Sequence, residues 1–462
     1  MLLRNSYVLC RRKRFSFIMV TFYKPPKKQS LLNKTLALNV SRLDHNGCGV
    51  AQYQKQSVFI EQALPGEKVS VKVIEQSSKY IKAKLLAITS KSEDRVQAPC
   101  RYFSQCGGCN LQHLDYPAQL SFKQQKVSQL LSRANIDISA LPWQTNITSD
   151  FYHYRRKARI GVQYNKHGEA IVGFRQNSSN NLINIQHCRV LNENIVDIFV
   201  PLKKVLDTLT GHKSVGHIEV ISADRVCVVV RQLIKLPAAD KALWLAAAQE
   251  HQWQVIIDDG KTLQPLSNED ASLALTYSLL DDSEIRFSPN DFIQVNHKIN
   301  QLMVQQAINW LELTNTDEVL DLFCGLGNFS LPIAKQVSSV TGVEGVTAMV
   351  DKAGENASLN KLNNCHFYHA DLNSDWQDAP WLATQYNKIV LDPARAGAEQ
   401  AVEQISQFKA EKVLYISCDP SSLARDTALM IKQGYKIEKI ALMDMFSQTK
   451  HIETMVLFVP SK

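Results

Sequence analysis

The chain has 462 residues, of which 45% are hydrophobic and 21% are charged, and its formal net charge is +8 at pH 7. This composition is that of an ordinary soluble globular protein. The length excludes a single hydrophobic core, so we expect two or three domains. The modest excess of basic residues favours a polyanionic partner slightly over a role in solubility alone.

The ten cysteines mostly stand alone in apolar surroundings, which is not the pattern of a small secreted disulfide scaffold. We therefore expect a reducing, cytoplasmic environment. Residues 1–25 form a basic extension, in which "RRKR" divides the hydrophobic residues into runs too short for a signal peptide or a membrane span. We interpret its first 18 residues as a start assigned upstream of Met19 or as a disordered basic arm.

Residues 26–90 are predicted to form a small β-barrel. Short β-rich runs alternate with turns, which Gly47, Gly49 and the Pro65-Gly66 pair mark. The stretch "LDHNGCGVAQ" (43–52), followed by "VFIEQALPGEKVSVKV" (58–73), resembles the TRAM domain, an OB-like barrel. This resemblance implies RNA binding through an exposed strand face and loops.

Residues 91–290 are predicted to form a mixed α+β domain. The run "SFKQQKVSQLLSRA" (121–134) has helical spacing, whereas "GHIEVISA" (216–223) and "RVCVVVRQ" (225–232) are typical of strands. In "FYHYRRKARIGVQY" (151–164), basic residues suited to phosphates are interleaved with aromatic residues suited to stacking on RNA bases. The alternative is a strand with a solvated basic face. These residues are Tyr152, Tyr154, Arg155, Arg156, Lys157 and Arg159.

Residues 291–462 alternate between helical and strand-like runs. This alternation predicts a mostly parallel sheet covered on both faces, that is, an α/β fold. The last two strands are expected to close one edge of the sheet in antiparallel orientation. In "VLDLFCGLGNFSLPIA" (319–334), an apolar strand runs into Gly325 and Gly327 and then into a helix, so a ligand can approach the backbone there.

The spacing alone leaves the ligand of this glycine loop open. A dinucleotide fingerprint would place a third glycine where Ser330 stands, which weakens a pyrophosphate ligand. Glu344, at the end of the next strand, is placed to bind ribose hydroxyls. An acidic pocket suits S-adenosylmethionine, which carries a sulfonium and no phosphate, but a lone glycine loop is weak evidence.

The order of "DLFCGLGNF", "VEG", "HAD" and "VLDPARAGA" resembles the class I (Rossmann-like) methyltransferase core of the RNA uracil-C5 methyltransferases, over the whole C-terminal third. The resemblance implies an S-adenosylmethionine-dependent enzyme that acts on RNA. Taken singly, Phe323 also fits core packing and Asn328 a helix cap. The implied cofactor-binding residues are Gln294, Phe323, Asn328, Glu344, Asp371 and Asp392.

The stretch "YISCDP" (415–420) places Cys418 between a strand and the start of a helix. Carbon 5 of uracil becomes nucleophilic when a thiolate adds to carbon 6, and a base must later remove the C5 proton. The resemblance implies that Cys418 is this nucleophile and that Glu453, in "QTKHIETMVLF", is the base. We expect the helix start and Arg425 to favour the thiolate, and His451, on the strand face of Glu453, to orient the base or the RNA. The alternative for Cys418 is an inert core thiol.

Three closely spaced cysteines and a distant fourth suggest a metal site, formed by Cys100, Cys106, Cys109 and Cys188. Zinc is the competing metal, although zinc ribbons usually pair two C-x2-C units. The trio and its context "CGGCNLQHLDYPAQLSFK" resemble the [4Fe-4S] site of the same methyltransferase family, which favours a cluster over zinc. A radical S-adenosylmethionine methylthiotransferase is disfavoured, because its C-x3-C-x2-C trio is missing.

The combination of a TRAM barrel, a cysteine cluster and "DPARAGA" resembles the bacterial large-subunit ribosomal group of this family. The resemblance implies methylation of carbon 5 of a uridine in 23S ribosomal RNA through a covalent adduct to Cys418, by a monomer without membrane association. The alternatives are a transfer RNA uracil-C5 methyltransferase and a catalytically silent RNA-binding assembly factor. A silent binder would have no use for Cys418, Glu453 and the cofactor residues.

Overall fold

The computed structural model describes residues 30–211, 213–267 and 272–461. The basic extension predicted for residues 1–25 lies outside these ranges. A closed barrel, a six-stranded sheet, a two-stranded hairpin and a seven-stranded sheet follow one another along the described chain. The domain limits after residues 25, 90 and 290 stay predictions.

The N-terminal barrel has five strands: β1 Thr35–Leu43, β2 Gly49–Tyr53, β3 Gln56–Ile60, β4 Lys68–Gln76 and β5 Tyr80–Ser90. They close in the order β1-β2-β3-β5-β4. In β1 the buried Leu36, Leu38 and Val40 alternate with exposed residues, because successive side chains of a strand point to opposite faces. After the barrel, Arg95 forms an ion pair with the fully buried Glu67 and so ties the next segment to it.

Helix α1, Tyr116–Arg133, confirms the helical spacing predicted for residues 121–134. It begins where the Asp115 carboxylate accepts a hydrogen bond from the backbone of Ala118, 3.1 Å away. Its buried side chains recur every four residues, and Val127 and Leu131 among them join the core of the C-terminal sheet. The helix therefore packs on the C-terminal sheet, although the middle sheet follows it in the chain.

The middle sheet and its helices comprise β6 Lys157–Tyr164, β7 Ala170–Gly173, a 3-10 turn Glu193–Ile195, α2 Phe199–Thr208, β8 Val215–Ser222, β9 Val226–Gln232, α3 Ala238–His251, β10 Trp253–Asp258 and β11 Leu263–Pro265. The strand order is β11-β10-β9-β8-β6-β7. Phe199 of α2 and Trp244 of α3 share one core with this sheet. Ile221 and Val229 belong to a second core, which includes Met303 of the C-terminal part.

The remaining elements are the hairpin β12 Leu275–Ser278 and β13 Glu284–Phe287, then α4 His297–Leu311, β14 Glu318–Leu322, α5 Ser330–Ala334, β15 Ser339–Glu344, α6 Thr347–Leu359, β16 Cys365–His369, a 3-10 turn Pro380–Ala383, β17 Lys388–Leu391, α7 Glu399–Ile405, a 3-10 turn Ser406–Phe408, β18 Lys412–Ser417, α8 Pro420–Lys432, β19 Tyr435–Met443 and β20 Glu453–Pro460. The seven-stranded sheet has the order β16-β15-β14-β17-β18-β20-β19.

The first five strands of this order are parallel, and β20 runs antiparallel to both β18 and β19. The apolar runs of β14, β17 and β18 are buried on both faces, as a parallel sheet covered by helices requires. The predicted α/β fold with an antiparallel edge is confirmed. Within the described part of the chain, no helix combines the length and the hydrophobicity that crossing a membrane requires.

Candidate active site

The predicted cofactor residues lie at the carboxyl edge of the parallel strands. Leu322 at the end of β14 pairs with Val343 of β15 and with Leu391 of β17. Because parallel strands end at the same edge, Phe323, Glu344 and Asp392 emerge there together. The exposed Asp371 follows β16 by two residues at the same edge, and its carboxylate accepts a hydrogen bond from the backbone of Asn373.

The glycine loop turns sharply between β14 and α5. Phe323, Gly325 and Gly327 have positive φ angles of 65°, 56° and 90°. The loop donates a hydrogen bond from the backbone N–H of Gly325 to Glu344 Oε2 at 3.2 Å, and Val346 N–H donates to Oε1 at 3.0 Å. These two bonds hold the Glu344 carboxylate against the loop, where it can accept hydrogen bonds from the hydroxyl groups of a bound ribose.

Asn328 is held by partners that the sequence did not indicate. Its side-chain amide exchanges two hydrogen bonds of 2.9 Å with the buried Asn300 of α4, and its Oδ1 also accepts from the Tyr277 hydroxyl at 3.2 Å. Gln294 is buried just before α4, and its carbonyl accepts from Arg156 Nε at 2.9 Å. Hydrogen bonds of Asn328 therefore connect the glycine loop to α4 and to the hairpin of β12 and β13.

Two carboxyl groups give this edge an electrostatic preference. Burial raises the pKa of Asp321, which lies in β14, to about 7, although its carboxyl accepts a hydrogen bond from Ser330. Burial and then the Asp321 charge raise the pKa of Asp392 to about 7. A bound cation would stabilise the ionised form of both groups, which suits a sulfonium.

Cys418 and Glu453 are brought together by strand register. Ser417 at the end of β18 pairs with Thr454 of the antiparallel β20. Cys418, the residue after β18, therefore lies opposite Glu453. Glu453 is 5% exposed, and its Oε2 has no hydrogen-bond partner among the described residues. Burial and then Asp392 raise its pKa to about 8. A thiol therefore lies next to a buried carboxyl group whose raised pKa favours its protonated form.

The expectation that the helix start and Arg425 ionise Cys418 is wrong for the free protein. Burial, then Glu453 and Asp392, raise the thiol pKa to about 11, and Arg395 is the cation that lowers it. Arg425 instead contacts Asp426 at 2.7 Å. At the start of α8, the Asp419 carboxylate accepts from the first backbone N–H groups and so occupies them.

His451 does not share a strand face with Glu453, because β20 begins at Glu453 itself. The imidazole is exposed and lies edge-on to Phe446, with ring centroids 5.5 Å apart. A role of His451 toward RNA stays a prediction.

Several side chains of the basic stretch 151–164 form contacts inside the protein instead of facing solvent. Tyr154 is buried, and its hydroxyl donates to the carbonyl of Ser447 at 3.0 Å. Arg156 is also buried, with its guanidinium 4.1 Å from the ring centroid of Tyr277. Lys157 Nζ donates to two backbone carbonyls of the segment before α4, at 2.6 and 2.9 Å. For Tyr154 and Arg156 the RNA-contact interpretation is wrong, because the chain folds over them. Lys157 is half-buried, and its contact with RNA stays a prediction.

The other members of the stretch stay nearer the surface. Arg159 is exposed and pairs with Glu219 at 2.5 Å. Arg155 is half-buried, and its Nε donates to the carbonyl of Lys157 at 3.0 Å. The half-buried Tyr152 has a pKa raised to about 12, by burial and then by Cys109. This stretch therefore also borders the cysteine-rich region.

The four predicted metal-ligand cysteines are half-buried free thiols that act on one another electrostatically. Burial, and then Cys188, Cys106 and Cys100 among its neighbours, raise the pKa of Cys109 to about 12. The fold therefore brings the remote Cys188 to the trio. Among the described residues, no three His, Cys, Asp or Glu side chains have the geometry of a site for a metal ion.

Comparison with known proteins agrees with this geometry. Residues 115–460 match the family model described as tRNA (Uracil-5-)-methyltransferase, and residues 29–86 match the TRAM domain. The structure is similar to the crystal structure of the Pyrococcus abyssi tRNA (uracil-54, C5)-methyltransferase in complex with S-adenosyl-L-homocysteine, with a TM-score of 0.70 and 20% identity over 92% of this chain and 100% of that chain. The fold is that of a class I methyltransferase with an N-terminal TRAM barrel.

The sequence relatives narrow this class to a family. The chain is 51% identical to the 23S rRNA (uracil(1939)-C(5))-methyltransferase RlmD of Colwellia psychrerythraea, over 95% of this chain and 99% of the relative. It is 43% identical to the protein of the same name from Shewanella sediminis, over 95% and 99% of the two chains. The chain belongs to the RNA uracil-5 methyltransferase family, and it is an S-adenosylmethionine-dependent enzyme.

Proposed function

We propose that this enzyme methylates carbon 5 of a uridine in 23S ribosomal RNA, at the position equivalent to the uridine named for its RlmD relatives. The observation that carries the proposal is the register of β18 and β20, which places a thiol beside a buried carboxyl at the cofactor edge. The relatives support the choice of RNA, because their identity to this chain extends over 95% of it.

The proposed roles follow from what a uracil ring needs. Cys418 adds to carbon 6, forming an S–C6 bond and moving the ring electrons toward carbon 5. S-adenosylmethionine supplies the electrophilic methyl group. Glu453 then removes the C5 proton, the C5=C6 double bond returns, and the S–C6 bond breaks to free the thiol. The cofactor residues proposed for this step are Gln294, Phe323, Asn328, Glu344, Asp371 and Asp392.

The pKa values suggest that cofactor binding prepares the thiol. In the free protein the pKa of Cys418 is about 11 and that of Glu453 about 8, and Asp392 contributes to both increases. A sulfonium bound near Asp392 offsets that negative charge, so it lowers both pKa values. The nucleophile and the base therefore ionise more readily once the methyl donor is present.

A cleft beside the barrel supports a path for single-stranded RNA toward Cys418. The cleft has a volume of about 1040 Å³ and lies between the barrel and α1, and it reaches the residues that follow Cys418 at the start of α8. Its lining is mixed in charge. Three basic side chains, Arg42, Lys126 and Arg133, and the aromatic Phe59 lie beside four aspartates, Asp44, Asp94, Asp115 and Asp419. Basic groups that track phosphates, with an aromatic surface for bases, are what unpaired RNA requires.

We further propose that Cys100, Cys106, Cys109 and Cys188 hold a [4Fe-4S] cluster. Cys106 and Cys188 pack against the same hydrophobic core, which supports a shared site, and the spacing of the trio favours a cluster over zinc. Anaerobically purified protein should contain about four irons per chain; stoichiometric zinc without acid-labile sulfide would refute the cluster.

Methylation of RNA fragments tests the substrate directly. The protein is incubated with labelled S-adenosylmethionine and fragments of 23S ribosomal RNA, and any 5-methyluridine is mapped. We expect one methylated uridine, at the position equivalent to that of the relatives. Methylation of transfer RNA alone would favour the alternative substrate, and no methylation of any RNA would favour a silent binding protein.

Since one chain supplies every proposed catalytic residue, we also propose a monomer, acting in the cytoplasm.

A further inference from the structure

Helix α1 carries two polar side chains in its buried stripe, and both bind the segment that leads to Glu453. This base segment, residues 444–452, connects β19 to β20. Gln119 Nε2 donates to Gln448 Oε1 at 3.1 Å, and the backbone N–H of Gln448 donates back to Gln119 Oε1 at 3.2 Å. Lys123 Nζ donates to Asp444 Oδ1 at 2.6 Å and to the Phe446 carbonyl at 3.1 Å.

The contact between Lys123 and Asp444 is a buried ion pair. Each side chain is 1% exposed. The second carboxylate oxygen of Asp444 accepts from the Tyr116 hydroxyl at 2.9 Å and from Ser447 Oγ at 2.6 Å, so both oxygens of the carboxylate are hydrogen-bonded. Apolar residues of similar size usually stabilise a fold as well as such a pair does. Stability alone therefore does not explain a charge at this place.

The charge of Lys123 reaches the proposed base. Cys418 lies opposite Glu453 in the register of β18 and β20. Two further charged groups act on the Glu453 carboxyl, Asp392 from the end of β17 and Lys123 from α1. Asp392 opposes ionisation of Glu453, whereas Lys123 lowers the Glu453 pKa. Among the described groups that act on that carboxyl, Lys123 is the cation.

We propose that Lys123 is a positioning residue for the base, which fixes the base segment through Asp444 and favours the ionised carboxylate of Glu453. The proposal rests on the role proposed for Glu453 and deepens it. The elimination step needs an ionised carboxylate in an apolar place, and a buried ammonium provides that without touching the RNA. Lys123 thereby acts on removal of the C5 proton, the step that needs the ionised carboxylate.

The test separates these two steps in single-turnover reactions. RNA labelled with tritium at C5 of the target uridine reports proton removal by release of tritium to water, and labelled S-adenosylmethionine reports methyl transfer to RNA. The variant Lys123→Met/Asp444→Asn removes both charges of the pair, which limits the loss of stability that one unpaired buried charge would cause. Lys123→Arg keeps the cation.

The matched control is Lys388→Met/Glu411→Gln. Lys388 is also buried and pairs with Glu411 at 2.7 Å, but it begins β17, at the edge opposite the cofactor residues. We expect the acid limb of tritium release to move up by about one pH unit in the Lys123 double variant. Methyl transfer should not fall below the wild-type level and cofactor binding should be unchanged, and the control and Lys123→Arg should keep the wild-type limb.

Two results would overturn the proposal while leaving the proposed function intact. One is a folded, cofactor-binding double variant whose acid limb coincides with that of the wild type. The other is a shift in Lys123→Arg as large as in the double variant, since the charge would then not be the cause. By contrast, tritium release by Glu453→Gln at the wild-type rate would remove the base itself, and with it both proposals.

Discussion

Three carboxyl groups at one end of the C-terminal sheet share an unusual property. The pKa values of Asp321 and Asp392 are raised to about 7 and that of Glu453 to about 8, each mainly by burial. Buried carboxylates are costly unless a cation or hydrogen bonds compensate them. The free protein therefore holds protons where the methyl donor is expected to bring a positive charge, and this couples cofactor binding to the protonation of the site.

The sequence indicated the proposed nucleophile and base but not their electrostatic setting. Cys418 and Glu453 were named through a resemblance, and their adjacency became visible only in the register of two antiparallel strands. No sequence pattern indicated that Lys123 is buried and paired, because a lone lysine in a helix usually lies in solvent. Its partner Asp444 is 321 residues away in the chain. Tyr154 and Arg156 were misread for a related reason, since a strand sequence does not show which polar residues the chain later covers.

The buried Glu453 should cost stability in a pH-dependent way. Its folded pKa of about 8 exceeds the ordinary value of 4.5, so folding favours the protonated form and stability falls as pH rises between these values. Glu453→Gln removes this loss. The free energy of unfolding of Glu453→Gln, measured by denaturant titration, should exceed that of the wild type by a margin that widens from pH 4.5 to pH 8, by up to about 1.4 kcal/mol per pH unit.

The exposed Glu403 of α7 offers a control for this measurement. Glu403→Gln should change the free energy of unfolding by less than about 0.5 kcal/mol, because it is a surface substitution. A constant difference between Glu453→Gln and the wild type across the range would contradict the burial of an ionisable Glu453.

At the scale of elements, the loop between β14 and α5 depends on backbone conformations that side chains disfavour. The sequence predicted the loop from its two glycines, and their positive φ angles explain why glycine is needed. Helix α1 shows the reverse case. Its helical spacing was readable, but its docking on the C-terminal sheet depends on contacts between distant segments, which no local pattern encodes.

Gly327→Ala should weaken cofactor binding. The φ angle of Gly327 is 90°, and a Cβ there would lie 3.1 Å from Leu331 Cγ, so the loop must shift at the cofactor edge. We expect the dissociation constant for S-adenosylmethionine to rise about tenfold, because such strain costs roughly 1–3 kcal/mol. Isothermal titration calorimetry measures this directly.

Gly434, in the turn between α8 and β19, is the matched control. Its φ angle is 89°, and a Cβ there would meet no atom within 4 Å. Gly434→Ala should lower the melting temperature through the same backbone strain and leave the affinity for S-adenosylmethionine unchanged. Equal affinities of the two variants would show that the glycine loop does not contact the cofactor.

At the scale of the molecule, the barrel is docked beside the site rather than tethered far from it. Lys126 of α1 donates to the His45 carbonyl at 3.0 Å, and Lys450 of the base segment donates to Asn46 Oδ1 at 2.7 Å. One barrel loop therefore contacts both α1 and the segment that leads to Glu453. The resemblance predicted the barrel, but its docking arises from side chains that have no pattern in the sequence.

Charge reversal in the cleft should weaken RNA binding without affecting the cofactor. Arg42→Glu/Arg133→Glu places negative charges on two sides of the cleft. We expect weaker binding of the RNA fragment and a slope of log K against log salt that is shallower by about 0.7 for each phosphate that the protein no longer neutralises. Lys204→Glu, on the exposed face of α2, is the control and should leave the slope unchanged. An unchanged slope in the Arg42→Glu/Arg133→Glu variant would contradict binding of RNA in the cleft.

The pairing of Cys418 with Glu453 is the central claim, and a trapped adduct tests it most directly. Glu453→Gln should still allow attack on carbon 6 and methyl transfer but stall before elimination, so the RNA remains attached to the protein. Mass spectrometry of the digested complex should place a methylated uridine on Cys418, and Cys418→Ser/Glu453→Gln should yield no adduct. An adduct on another residue, or normal turnover by Glu453→Gln, would contradict the account.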